Sequence, residues 1–108
     1  MSARRVRIED HAAEEFDAAA DWYDAQRAGL GTELVEAVHA AIERLAENPG
    51  LAGPVPGVAD RMGARRLLVD RFPYAIVFVE EAGEFVVVAV AHGHRAPGYW
   101  VDRLPGRR

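Results

Sequence analysis

The chain has 108 residues, half of them hydrophobic, with 17 acidic residues against 13 basic ones and a formal charge of −4. That is one domain with one modest core. The absence of cysteine excludes a disulfide scaffold, a thiolate nucleophile and a cysteine-ligated metal site.

The basic residues are all arginine, so every cationic contact is a permanently charged planar fork and no amine is present to transfer a proton. Residues 1–48 carry 11 acidic and 5 arginine residues, whereas residues 49–108 carry 6 and 8, which suggests two faces with different partners. No apolar h-region follows Met1-Ser2-Ala3-Arg4-Arg5, and no apolar run approaches the roughly 18 residues of a membrane span, so a cytoplasmic protein without a membrane segment is expected.

Residues 4–8 alternate polar and apolar side chains and predict a short edge strand. Glu9 and Asp10 lead into a helix with Phe16, Ala20 and Tyr23 on one face and Glu14, Asp17, Asp21 and Asp24 toward water. The glycines of Ala28-Gly29-Leu30-Gly31 are expected to end it. Thr32 is then the expected N-cap of a second helix, whose buried stripe is Leu34, Val38, Ile42 and Leu45 and whose stop is Asn48-Pro49-Gly50. His39, beside Val38, is expected to be partly buried. The short link makes the two helices an antiparallel hairpin.

Residues 50–63, rich in proline and glycine, form an irregular loop docked through Leu51, Val55, Val58 and Met62. Its glycines lack the lysine of a phosphate-binding loop. Three strands are predicted at 65–71, 74–80 and 85–92, the last two joined by a turn at Glu81-Ala82-Gly83-Glu84. A helical turn after Pro97 would carry Tyr99, Trp100 and Arg103. The fold class is therefore α+β, in the order β-α-α-β-β-β, an antiparallel sheet packed on an N-terminal helical hairpin with its opposite face, or its concave edge, open to a partner.

At the end of the last strand the chain changes to His92-Gly93-His94-Arg95-Ala96-Pro97-Gly98-Tyr99-Trp100. Two imidazoles, a guanidinium and two aromatic rings exceed what a strand end needs, which makes this the first place to look for function. The residues also admit structural roles. His92 can be a hydrogen-bonded core or edge histidine, Tyr99 and Trp100 can pack on the helical hairpin, and Arg95 and Arg103 can pair with Asp70 or Asp102. His92 and His94 lack a nearby carboxylate, so no metal is expected.

Four segments carry a resemblance: Trp22-Tyr23 with Gly29-Leu30-Gly31-Thr32-Glu33-Leu34; Ile42-Glu43-x-Leu45-x-x-Asn48-Pro49; Arg65-Arg66-Leu67-Leu68 with Arg71-Phe72-Pro73-Tyr74; and Val90-Ala91-His92-x-x-Arg95-x-Pro97-x-Tyr99-Trp100-x-x-Arg103. In this order and spacing the chain resembles the RelE/ParE superfamily of toxins from bacterial type II toxin–antitoxin systems. The resemblance implies a cytoplasmic toxin without cofactors, wrapped by a cognate antitoxin in a heterodimer or heterotetramer, with no sequence-specific DNA binding by the toxin alone.

RelE-like members cut mRNA in the ribosomal A site, whereas ParE-like members inhibit DNA gyrase without hydrolysis. The basic set of the nucleases carries over poorly. The residue after Tyr74 is Ala75 where RelE-like members have arginine, Gly93 stands at another basic position, and only Arg66 and Tyr99 match. A nuclease alternative would use His92, His94, Arg95, Arg66 and Tyr99 for acid–base and phosphate-stabilising work. The favoured expectation is a ParE-like gyrase inhibitor with a functional surface at Arg65, Arg71, Trp100 and Arg103. Antitoxin contacts are expected at Leu34, Val38 and Ile42 and along the edge of strand 65–71. A degenerate member that only binds its antitoxin is the remaining class.

Overall fold

A computed structural model describes residues 4–96 and 98–105; Pro97, named in the sequence motif, lies outside them. The elements are β1 (Val6–Ile8), α1 (Asp10–Gln26), α2 (Leu30–Glu47), β2 (Gly53–Pro54), β3 (Arg65–Leu68), β4 (Tyr74–Glu81) and β5 (Glu84–His92), with single 3₁₀ turns at Pro49–Leu51, Asp60–Met62 and Val101–Arg103. The expected order holds, and the short strand β2 is added inside the loop.

Glu9 caps α1, its carboxylate accepting from His11 N at 3.1 Å, and Ala12, Phe16 and Ala19 are buried beneath the helix. Leu34, Val38, Ala41 and Leu45 form the buried stripe of α2. The junction differs from expectation at both helix ends. α1 stops at Gln26, and Gly29, at φ 89°, opens α2 one residue before Leu30. Thr32 is not the cap but lies inside the helix. Its expected role passes to Asp24, whose side chain reaches from α1 to accept from Gly31 N at 2.8 Å. Gly31 marks the close crossing of the two helices, because a Cβ there would collide with the Ala20 carbonyl and the Asp24 carboxylate.

The five strands form one sheet in the order β1-β5-β4-β3-β2. β2 to β5 are antiparallel neighbours, but β1 runs parallel to β5, Val6 opposite Phe85 and Ile8 opposite Val87, so the sheet is mixed rather than purely antiparallel. β1 feeds directly into the helical layer, and the β3–β4–β5 meander leaves the β5 edge open beside it. β3 ends at Leu68 rather than residue 71, since Arg71 takes a left-handed conformation at φ 71° in the link to Tyr74. The β4–β5 turn is as tight as expected, with Ala82 and Gly83 both at positive φ (51° and 83°), the signature of a type I′ hairpin.

Both faces of the sheet are covered, so of the two openings expected, a face or an edge, the face is closed. One core joins Ile76, Phe78, Phe85, Val87 and Val90 to the helices. The other sets Val77, Val79, Val86, Val88 and Ala89 against Trp100 and Leu104. Two-sided burial explains why β4 and β5 read as continuous apolar runs instead of alternating. Trp100 therefore packs on the sheet face away from the hairpin. In the loop, Val55 is buried in this second core while Leu51 stays 52% exposed, so only part of the loop docks as expected.

Val77 pairs with Ala89 and Phe78 with Val87, so Val88 is an extra residue in β5, a β-bulge. The bulge shifts the alternation, which places Val88 and Ala89 on the same core and Val90 on the other. Among the described residues no helix is long and apolar enough to cross a membrane.

Candidate functional site

β1 ends opposite Val87, which leaves the outer edge of β5 unpaired from the bulge onward. Side chains finish it. Val90 N donates to Glu15 Oε1 at 3.2 Å, and Arg103 Nη1 donates to the Val88 carbonyl at 3.1 Å. Arg103 also grips Glu15, with Nη1 at 2.8 Å and Nη2 at 3.3 Å from the two carboxylate oxygens. The Tyr99 hydroxyl donates to Glu15 Oε2 at 2.6 Å. One carboxylate on α1 thus receives a strand amide, a phenol and a guanidinium, and the C-terminal segment is clasped across the sheet edge.

Burial and the Glu15 carboxylate together push the Tyr99 hydroxyl well above its ordinary pKa, because ionising it would set two anions side by side. Burial works against the Arg103 charge, but the bonds to Glu15 outweigh it and hold Arg103 above its ordinary value.

The sequence pattern alone does not single out Glu15. Its signal is an acidic residue on the buried stripe of α1, flanked by Ala12, Phe16 and Ala19, where an unpaired carboxylate would be costly. The expected pairing of Arg103 with Asp70 or Asp102 gives way to Glu15, and Asp70 instead takes Arg44 at 3.4 Å.

Around this clasp stand the other candidates. The Arg95 guanidinium carbon sits 3.9 Å from the Tyr99 ring centroid. His92 meets the Tyr74 ring edge-to-face at 5.1 Å, and its Nδ1 accepts from His94 N at 3.0 Å. Burial pushes the Tyr74 hydroxyl up, with the Tyr23 and Glu15 charges adding to it. Arg66, His92, Arg95 and Tyr99 line one cavity of ≈ 230 Å³, floored by apolar Ala75 and Val77. His94 does not line it. On the other side of His92, Arg95 and Tyr99 lies a hollow of ≈ 290 Å³ bounded by Trp22 and Tyr74. Trp22 is 58% exposed and touches the Tyr23 ring edge-to-face.

The expected functional surface is dispersed. Arg65 lies over the Phe78 ring at 5.2 Å. Arg71 binds Glu33 at 2.7 Å by the helical turn. Arg103 is held in the clasp, and Trp100, 2% exposed, is core and presents no surface. Leu34 and Val38 are fully enclosed at 0% exposure, so they form the core between helices and sheet and offer nothing to an antitoxin; Ile42 is half-buried. His39, expected to be partly buried, is exposed at the edge of Phe16.

The edge of β3 does open on a groove. β2 covers Arg65 and Arg66 only, leaving Leu67 and Leu68 without a strand neighbour on that side. A cavity of ≈ 700 Å³ lies there, lined by Leu51, Pro54, Pro56, Arg66 and Leu68 and by the Arg44–Asp70 ion pair. Among the described residues no group of three or more His, Asp or Glu side chains is placed to hold a metal ion.

No curated protein matches the sequence. Among solved structures, one titled "Chromosomal ParDE TA system from P. aeruginosa" is similar with a TM-score of 0.70 and 18% identity, over 83% of this chain and 96% of that one, a likeness of fold. Residues 6–97 match the family described as ParE toxin of type II toxin-antitoxin system, parDE. A match running from β1 past the end of β5 places the chain in the ParE toxin family of type II toxin–antitoxin systems.

Proposed function

We propose that the chain inhibits DNA gyrase in the cytoplasm without hydrolysing nucleic acid, and that a cognate antitoxin neutralises it. The observation that carries the non-hydrolytic reading is the clasp on Glu15. Cleaving a phosphodiester needs a proton donor for the leaving oxygen and a base for the attacking hydroxyl. Tyr99 donates its proton to Glu15 at 2.6 Å, and its pKa is raised, so it is poorly suited to give that proton away. Arg103 is engaged by the same carboxylate. The cavity floor is Ala75, where a nuclease would want a cation.

One observation favours the nuclease as a second reading: Arg66, His92, Arg95 and Tyr99 share a single cavity. The two readings separate with purified protein freed of antitoxin, assayed for gyrase supercoiling and, in parallel, for mRNA cleavage on programmed ribosomes. Loss of supercoiling with intact mRNA is expected. Tyr99→Phe, which keeps the ring under Arg95 and removes only the hydroxyl, should retain inhibition. A-site cleavage that disappears in His92→Ala and Arg95→Ala would overturn the proposal.

A further inference from the structure

The two tryptophans have opposite fates. Trp100 is core at 2% exposure, whereas Trp22 stands on α1 with 58% of its surface in water. Leaving so large an apolar ring outside forgoes the stabilisation that burial would give. The ring is nonetheless held in place. It meets Tyr23 edge-to-face at 5.0 Å, and Tyr23 in turn meets Phe72 at 5.2 Å and Tyr74 at 6.3 Å, so a train of rings ties it to the start of β4.

Trp22 is also the centre of a patch. Ala18 and Ala25, at i−4 and i+3 on the same helix face, are exposed too, so α1 carries an apolar strip in which one tall ring rises between methyl groups. The strip opens on the hollow of ≈ 290 Å³, which Ala18 and Trp22 line together with Tyr74, Tyr99 and Arg95. Charges of opposite sign border it. Along one flank of the strip the helical repeat places Glu14, Asp17 and Asp21, all exposed. Beside the hollow stands Arg95, exposed, with its guanidinium on the Tyr99 ring. None of these charges has an ion-pair partner among the described residues.

We propose that Trp22 is the anchor through which the chain grips its protein target. The target covers the ring, places one apolar or aromatic side chain in the hollow beside it, meets Glu14, Asp17 and Asp21 with basic residues and meets Arg95 with a carboxylate. This rests on the gyrase reading above and names the contact surface for it. Tryptophan, tyrosine and arginine are the side chains that dominate interface energetics, and the ones here converge on a single hollow. The train of rings fixes Trp22 before contact, so little side-chain freedom is lost on docking. The flanking alanines let a partner surface approach closely. Opposite charge on the two borders selects one docking orientation and repels the reverse one. A nucleic acid fits less well, because the acidic row would set carboxylates against its phosphates where the strip has to be covered.

The test uses the purified chain and purified DNA gyrase. Inhibition of supercoiling is titrated, and binding to immobilised gyrase is measured against ionic strength. The wild type is expected to inhibit and to bind. Trp22→Ala should raise the half-inhibitory concentration by about tenfold or more and weaken binding in step, and Trp22→Phe, which keeps a ring, should recover part of the loss. Arg95→Gln and the double variant Asp17→Asn with Asp21→Asn should weaken binding and flatten its salt dependence. Leu51→Ala removes another exposed apolar side chain outside the patch and should behave like the wild type. Thermal melts check the fold of each variant, and the surface charge variants carry the comparison if Trp22→Ala melts early.

A wild type that neither binds nor inhibits gyrase would overturn the gyrase reading and this proposal with it. Inhibition that survives Trp22→Ala and the charge variants unchanged would overturn the patch alone. Retention of a DNA duplex that Trp22→Ala abolishes, with gyrase binding unaffected, would assign the patch to nucleic acid and overturn the proposal.

Discussion

The Glu15 carboxylate and the Arg103 guanidinium meet at 2.8 Å across 88 residues of sequence, and each is only 17% exposed. The pair does more than tie the C-terminal segment to α1, since it also bonds Val88 and Val90, the backbone groups that the end of β1 leaves open. Removing one partner strands the other. Arg103→Gln should therefore destabilise the protein by about 3 kcal/mol, the scale for breaking a largely buried pair. Urea unfolding would measure it. Tyr99→Phe, which removes one donor of several from the same carboxylate, should cost only about 1 kcal/mol.

Gly31 and Gly29 lie two residues apart and should respond to alanine for different reasons. At Gly31 the new methyl meets the backbone of α1, and helices cannot separate there without opening the core below, so a loss of about 2–3 kcal/mol is expected. At Gly29 no atom lies within 4 Å, and the penalty is only that of a left-handed conformation at φ 89°, about 1 kcal/mol. Parallel thermal melts of the two variants would show the order.

Ala82 occupies a left-handed position with φ 51° in the β4–β5 turn, directly before Gly83. Asparagine tolerates that conformation and Asn-Gly is the favoured pair for this turn type. Ala82→Asn is expected to stabilise the protein by roughly 0.5–1 kcal/mol, with the midpoint of chemical unfolding rising accordingly.

Glu9 sets an acid limit on the fold. Burial opposes its charge, but the side-chain and backbone bonds from His11 outweigh burial and hold its carboxyl below the ordinary glutamate value of 4.5. The native state binds this proton less readily than the unfolded chain. The stabilisation is fully present above about pH 4.5 and drains away as the pH falls through the lower, folded value. Stability measured against pH should show this loss in the wild type, and Glu9→Gln should flatten it.

Much of the architecture is visible in the sequence where one face of an element is polar. The stripe Leu34, Val38 and Leu45 locates α2, and Ala82-Gly83 between apolar runs locates the hairpin. Legibility stops where a pattern has two physical causes. Continuous apolar runs at 74–79 and 85–91 fit a strand buried once or twice over, and only Trp100 and Leu104, remote in sequence, decide for twice. The same remoteness hid the parallel seat of β1. Of the candidate residues, the structure brings Arg66, His92, Arg95 and Tyr99 to one cavity. The sequence does not reveal Glu15, because a lone acid in an acidic helix looks like one more solvated charge until its neighbours on the buried stripe are considered. The sequence allows Leu34 and Val38 to be either core or partner contacts, and full enclosure leaves only the first.

Val6 sits opposite Phe85, with nearly all of the fold strung between them. The α1–α2 and β4–β5 hairpins close over short stretches and can form independently and early. The parallel pairing of β1 has to shut a far longer loop, which is entropically costlier and slower to close. During that interval the edge of β5 is bare. A freshly synthesised chain thus passes through a window in which a strand from another molecule competes with its own N-terminal segment, and the speed of β1 docking sets how long the window stays open.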